Sequence, residues 1–330
     1  MLIAGLMKNF WTQLPKPFLA LAPMAGVTDL AFRTMCKRFG ADVIYTEFAS
    51  ANALARHSKK TQEMLSFSTG EQPVVCQIFG NDPSVFHAAA ESVEGMGFSG
   101  IDINFGCPAY KVTRHGGGVS LMRNPAHCAE LIAAVCDATA LPVSVKLRAS
   151  INDNKKKITA VDLVERIKSL PVSAVMIHGR SYELPFDGEP DIGMIAAVKR
   201  VFKGIVIANG GILSPETAQE MVEATHADGL GIARGALGRP WIFRQIREYL
   251  ASGAFHEPTW DEKKQCIMEH VKLALETKGP YGIIEMRKHL AWYVKGLPRA
   301  KKIREELVKV KTLEEVQRII MAMPEQELSS

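Results

Sequence analysis

Short apolar runs of β character recur along most of this chain, and each is followed by a stretch of helical periodicity. The runs are Leu19–Pro23, Val43–Thr46, Val74–Phe79, Ile101–Asn104, Val143–Leu147, Ala174–His178, Ile205–Ala208 and Gly229–Ala233. A strand followed by a helix cannot pair with the next strand as a hairpin; the crossover makes the pair parallel. Eight such units in roughly 250 residues are the size of a (β/α)8 TIM barrel, an α/β fold whose site lies at the C-terminal ends of its strands. Punctuation agrees with the periodicity. Asn81-Asp82-Pro83, Asn124-Pro125 and Ser214-Pro215 each set a capping side chain before a proline suited to a first helical turn. Gly40 and Gly97 stand where helices should stop.

Beyond about Tyr249 the texture changes. Ser252 to Pro258 reads as a linker, and after it helical patterns run without β segments over Trp260–Lys278, Ile283–Lys295, Pro298–Lys309 and Thr312–Met323. The expected organisation is a catalytic barrel over 1–250 and a small C-terminal helical domain over 251–330. With 47% hydrophobic and 23% charged residues among 330, the chain can bury a sizeable core. The formal charge of +5 permits an anionic partner without demanding one. Six cysteines, without a CxxC pair or ligand-like spacing to histidine, argue for reduced thiols, no metal site and a cytoplasmic protein. The apolar start, MLIAGLMKNFW, lacks a basic leader and is too short to span a bilayer, so no membrane association is expected. A monomer is expected.

The most informative stretch is Gly100–Val112, GIDINFGCPAYKV. Ile101 and Ile103 alternate with Asp102 and Asn104, the mark of a strand with two unlike faces. Gly106 permits a turn and Pro108 fixes its exit, so Cys107 is held at the mouth of a strand. A thiol with its ordinary pKa of roughly 8.5 is mostly protonated at neutral pH and can serve as a proton donor. Asn104 shares a face with Gly106 and can point where the thiol points.

If the strands close a barrel, their ends converge and can be read in turn. They carry Pro23-Met24-Ala25-Gly26, Thr46-Glu47, Gln77, Asn104 with Cys107, Lys146 with Arg148, His178-Gly179-Arg180, Asn209-Gly210-Gly211 and Ala233-Arg234-Gly235. Loops after the seventh and eighth strands of such barrels often bind phosphate through glycine amides. Asn209, Gly210 and Gly211 followed by Arg234 suit that chemistry. Gly229-Leu230-Gly231 lacks the third glycine of a dinucleotide fingerprint and lies inside a strand.

With these residues in view, the chain resembles the tRNA-dihydrouridine synthases, and in particular their DusB-like bacterial branch. The resemblance covers nearly the whole length. It rests on APMAGVTD, INFGCPAYKV, VKLR, IHGR, ANGG, IARGALGRPWIF and the helical MRKHLAWYVKG. It implies an FMN flavoenzyme that uses NADPH or NADH to reduce the ring of a uridine in tRNA, with Cys107 as proton donor. Pro23, Met24, Ala25, Gln77, Lys146 and His178 are implied to meet the flavin. Asn209, Gly210, Gly211, Ala233 and Arg234 are implied to hold its ribityl phosphate. Asn104 and Arg148 are expected near the uracil. Ala233 departs from the family pattern, which usually has glycine there, as do Ser181-Tyr182-Glu183 and Ile192 in the strand-six region.

The expected grip on tRNA is the helical domain. Arg287–Arg304 holds seven Lys or Arg residues and no Asp or Glu. Lys288, Arg299, Lys301 and Lys302 are its candidate phosphate-binding residues, and the run Lys155–Lys157 after the fifth strand is a further candidate. Three rival readings are an FMN barrel acting on a small molecule in the manner of a dihydroorotate dehydrogenase, a Schiff-base aldolase built on Lys146, and a non-catalytic RNA-binding barrel. The helical domain counts against the first, and the intact Cys107 and Lys146 against the last.

Overall fold

The computed structural model describes residues 9–154, 156–184 and 187–323. Eight parallel strands close into a barrel: β1 (Phe18–Leu21), β2 (Val43–Tyr45), β3 (Val74–Phe79), β4 (Gly100–Phe105), β5 (Val143–Arg148), β6 (Val172–His178), β7 (Ile205–Asn209) and β8 (Gly229–Ile232). Each pairs with the next, and β8 returns to β1 in the register Phe18↔Gly229 to Leu21↔Ile232. The expected TIM barrel is therefore the fold, and every strand lies within two residues of the run that announced it.

Helices α1 (Leu30–Arg38), α2 (Lys59–Met64), α3 (Pro83–Glu94), α4 (Pro125–Ala138), α5 (Ala160–Ile167), α6 (Ile192–Val201), α7 (Pro215–Thr225) and α8 (Ile242–Ser252) surround it. The caps work as the sequence implies. Asp82 accepts from the Ser84 and Val85 amides, Asn124 from His127, and Ser214 from Thr217, each just ahead of a proline. One apolar layer fills the space between strands and helices. A second fills the barrel itself with Phe18, Val43, Tyr45, Val75, Met176 and Ile207. Trp11, from a single turn before β1, is fully buried against Phe18 and Tyr45 and closes the floor. The interior can therefore open only at the C-terminal ends of the strands.

The chain leaves α8 at Ser252 and starts α9 (Trp260–Lys278) after a cap at Thr259. Helices α10 (Pro280–Tyr293), α11 (Ala300–Leu307) and α12 (Leu313–Met321) follow. Helix α11 begins at Ala300 rather than Pro298 because Arg299 sits in the left-handed region, φ +57°. The four helices share an apolar core of Ile267, Val271, Met286, Leu290, Leu307 and Ile320. That core continues into the barrel through Ala31 and Met35 of α1 and through Trp241. Beside it, burial alone would raise the Asp29 carboxyl, but the Lys278 ammonium at 2.7 Å holds it below its usual range. No helix among the described residues is long and apolar enough to cross a membrane.

The two parts also meet backbone to backbone. Gly238, in the loop after β8, has φ +68°, and a Cβ there would lie 2.4 Å from the carbonyl carbon of Trp292. Gly253 has a similar φ of +75° but open space around it. Gly238→Ala is expected to cost about 2–5 kcal/mol, the sum of left-handed strain and overpacking. Gly253→Ala should cost only the strain, about 1–2 kcal/mol. Denaturant midpoints of the two variants check this; equal losses would contradict it.

Candidate active site

A cavity of about 760 Å³ occupies the open end of the barrel. Pro23, Met24 and Ala25 line it from the end of β1, Gln77 from β3, Asn104 and Cys107 from β4, and Lys146 and Arg148 from β5. His178 comes from β6, Asn209, Gly210 and Gly211 from β7, and Ala233 and Arg234 from β8. Closure of the barrel thus brings fourteen of the sequence-derived candidates to one volume. Strand β2 contributes from behind. The Thr46 hydroxyl accepts from the Gln77 amide at 3.2 Å, and Glu47 accepts from the Gly26 amide.

Beneath the cysteine runs a chain of hydrogen bonds whose direction is dictated by its first member. Buried Asp102 accepts from the Ser144 hydroxyl at 2.6 Å and from Gln77 Nε2 at 2.7 Å. Gln77 must then turn its Oε1 toward Asn104, which donates to it at 2.9 Å. That leaves Asn104 Oδ1 facing the turn, where it accepts from the Gly106 amide at 3.0 Å and the Cys107 amide at 2.8 Å. On the other side, Arg148 Nε donates to the Gly106 carbonyl at 2.9 Å. The turn that carries the thiol is held at both its donors and its acceptor.

Burial pushes the Cys107 thiol up, against the Ala109 amide, Lys146 and Arg148, which favour the thiolate. Burial and the neighbouring Arg148 bring Lys146 down to about 8, and Asp102 and Cys107 oppose them. His178 is driven to about 2 by burial and then by Lys146, Arg148, Arg180 and Arg234. At neutral pH the cavity therefore holds a protonated thiol, a largely charged lysine and a neutral imidazole. Asp102 is raised by burial to about 6, opposed by its Ser144 and Gln77 donors, so it is mainly ionised there. This is an environment for an anion and a proton donor. Among the described residues no three His, Cys, Asp or Glu side chains form a metal-binding group.

At the far side of the cavity, Gly210 and Gly211 have φ of +106° and +76°. A Cβ on Gly210 would fall 2.6 Å from the His178 ring, and one on Gly211 2.7 Å from Pro190. Asn209 Nδ2 donates to the Gly231 carbonyl at 2.6 Å, tying β7 to β8. Ala233 has φ −117° and ψ −97°, outside both the helical and the extended regions. Arg180 Nη1 is buried without a hydrogen-bond partner and lies beside Gly210.

Of the other lining residues, Phe48 is not named by the sequence, while Arg180 at a strand end, Tyr182 and Glu183 after it and Gly231 are named there without an assigned role in the site. Arg180 stands at a strand end, but only the fold shows its unpartnered nitrogen. Asp102 reads merely as the polar side of a two-faced strand. The four candidates on the C-terminal helices lie outside the cavity. Lys288 is half-buried on α10, close enough for its charge to act on Glu47; Arg299, Lys301 and Lys302 are exposed at and after the start of α11. Of the lysine run, Lys155 lies outside the described residues. Lys156 and Lys157 are exposed on a hairpin, Ser150–Asp153 with Lys156–Thr159, that leaves the end of β5.

Asn104→Ala removes the acceptor of two turn amides and is expected to destabilise the protein by about 1–3 kcal/mol. Alkylation of Cys107 by iodoacetamide should be faster in this variant than in the wild type. In the wild type its rate should rise only at a pH above that of a free cysteine peptide, because burial raises the thiol. Mass spectrometry of the alkylated peptide reads both.

Residues 20–327 match the family model described as dihydrouridine synthase (Dus). The chain is 40% identical over 291 residues to tRNA-dihydrouridine synthase B of Vibrio parahaemolyticus, covering 87% of this chain and 89% of that one. It is 38% identical over 292 residues to tRNA-dihydrouridine synthase B of Pseudomonas aeruginosa, covering 87% of each. A probable tRNA-dihydrouridine synthase 1 of Synechocystis is 35% identical over 296 residues, covering 89% of this chain and 82% of that one. Among solved structures, morphinone reductase in complex with tetrahydroNAD superposes with a TM-score of 0.53 at 14% identity, over 78% of this chain and 94% of that one. The last likeness concerns the barrel fold.

Proposed function

Since this chain belongs to the dihydrouridine synthase family, we propose that it reduces the double bond between carbons 5 and 6 of uridine in tRNA, with FMN as cofactor and NADPH or NADH as reductant. The observation that carries the reading is a half-buried cysteine, its turn clamped by Asn104, in a cavity that is also lined by glycines and cationic side chains.

The residues present fit FMN. Gly210 and Gly211 line the cavity at positive φ, where a Cβ would strike the His178 ring and Pro190, and the unpartnered Arg180 nitrogen and Arg234 bring positive charge beside them, as a phosphate requires. Pro23, Met24 and Ala25 would back the flavin ring, with Gln77, Lys146 and His178 around it. When bound, the flavin supplies hydride transfer from the nicotinamide to carbon 6 of the uracil.

The chain's own chemistry is a proton transfer. The raised Cys107 thiol is protonated at neutral pH and gives its proton to carbon 5. Lys146, Arg148 and the Ala109 amide stabilise the thiolate left behind, and solvent reprotonates it. Asn104 is a positioning residue, because its carboxamide is engaged by the turn and by Gln77. Arg148 adds positive charge beside the thiol, where the uracil would lie. Outside the cavity, Lys288, Arg299, Lys301 and Lys302 would grip tRNA phosphates, and the exposed Lys156 and Lys157 lie on a loop that can assist. Such an enzyme works in the cytoplasm, as a monomer in this reading.

Cys107→Ala should leave FMN binding and NADPH oxidation intact while lowering tRNA reduction by about 10²–10⁴. Separate assays of the two half-reactions check it; reduction of tRNA at the wild-type rate would make another group the donor.

Changing Arg299, Lys301 and Lys302 together to Ala should weaken tRNA binding and flatten its logarithmic salt dependence by about 0.7–0.9 for each phosphate no longer neutralised. Titrations at several salt concentrations measure the slope. A wild-type slope would move the grip elsewhere.

A further inference from the structure

The loop that carries Cys107 continues straight to the surface. Ala109 still lines the cavity, and the next residue, Tyr110, is 75% exposed, more than any other large apolar side chain among those described. A tyrosine so open adds little buried apolar area to the fold, and what sets this one apart is its place beside the cavity mouth. Its setting is cationic. The Arg114 guanidinium lies 5.8 Å from the centre of its ring, and Arg114 Nε donates to His115 at 2.9 Å. Lys111 is exposed next to it, and no Asp or Glu occurs between Asp102 and Glu130.

The platform is also fixed from below. The turn Tyr110–Thr113 is anchored by buried Val112, and the Val119 amide donates to the Cys107 carbonyl at 3.1 Å. A ring presented on a rigid loop loses little freedom when something stacks on it. Open aromatic faces among cations are how proteins hold unpaired bases, since every base has a π-face and every nucleotide a phosphate.

We infer that Tyr110, with Arg114 against its ring, is a stacking platform for an unpaired base of the RNA, next in the strand to the uridine that enters the cavity. The inference rests on the tRNA reading above. Drawing one base into a deep pocket unstacks its neighbour, and Tyr110 replaces that stacking at the rim.

The test uses the FMN-loaded full chain, an unmodified tRNA transcript and the variants Tyr110→Ala, Tyr110→Phe and Arg114→Ala. Tyr110→Ala should lower kcat/KM for the transcript and its affinity by about five- to thirty-fold, at low and at moderate salt alike. Tyr110→Phe should stay within about two-fold of wild type, since the ring does the stacking. Arg114→Ala should weaken binding with a reduced salt slope. NADPH oxidation with an artificial electron acceptor should be unchanged in all three. A Tyr110→Ala variant that handles the transcript like wild type overturns the inference and leaves Tyr110 for a protein contact. A Tyr110→Phe variant as poor as the alanine also overturns it, because the hydroxyl and not the ring is then what matters. Wild-type protein that neither binds nor reduces the transcript contradicts the tRNA reading itself, a separate outcome.

Discussion

The carboxamide of Asn104 holds the chemistry of this protein in place. Its oxygen accepts the Gly106 and Cys107 amides together, so the strand β4 ends in a turn of one shape rather than a floppy loop. That oxygen faces the turn only because its nitrogen is committed to Gln77, and Gln77 is oriented in turn by Asp102. Asp102 can accept but not donate while ionised, and it is buried inside a closed barrel. A carboxylate in such a place is costly unless its oxygens are hydrogen-bonded, and Ser144 and Gln77 each donate to one of them. Protonation as the pH falls through about 6 would let the carboxyl donate and remove the reason for Gln77 to point as it does.

Closure of the barrel makes this relay possible and also explains why only one end is open. Trp11 and Phe18 fill the floor, so polar residues on the inward faces of β3, β4 and β5 can meet only in the upper layers. The helical part is not an appendage. Helix α1 packs inward on the strands through Phe32 and Cys36 and outward on α9 and α10 through Ala31 and Met35. Phe32 also meets His270 and His289 at 5.7 and 5.0 Å. Both histidines are held neutral by burial, and a charge on either would be stranded between the two cores. The basic surface of α11 is therefore carried on helices whose core packs directly against the barrel.

Much of this was legible in the chain. Strand positions follow from apolar runs and their capped helices, as at Asp82 and Ser214, because those signals are local. The cavity's lining follows from strand ends, because a closed parallel barrel has to gather them. What escaped depends on which side chains meet after closure. Nothing in the alternation of Ile101, Asp102, Ile103 and Asn104 says that Asp102 steers Gln77 from a neighbouring strand. Phe48 enters through loop geometry, and Gly238 is constrained by the backbone at Trp292, far along the chain. Within Arg287–Arg304, the charge pattern marks a basic stretch, yet His289 and Tyr293 turn inward and Lys288 is half-buried toward Glu47, which only the packing on α1 decides.

The most direct measurement is a complete turnover. Purified protein loaded with FMN is given NADPH and an unmodified tRNA transcript, and the RNA is digested and weighed nucleotide by nucleotide. The account predicts that particular uridines gain the mass of one hydrogen molecule, in step with NADPH consumed, and that omitting either FMN or NADPH abolishes the gain. NADPH consumed with no uridine altered in any tRNA transcript, or uridine reduced without FMN, would contradict it.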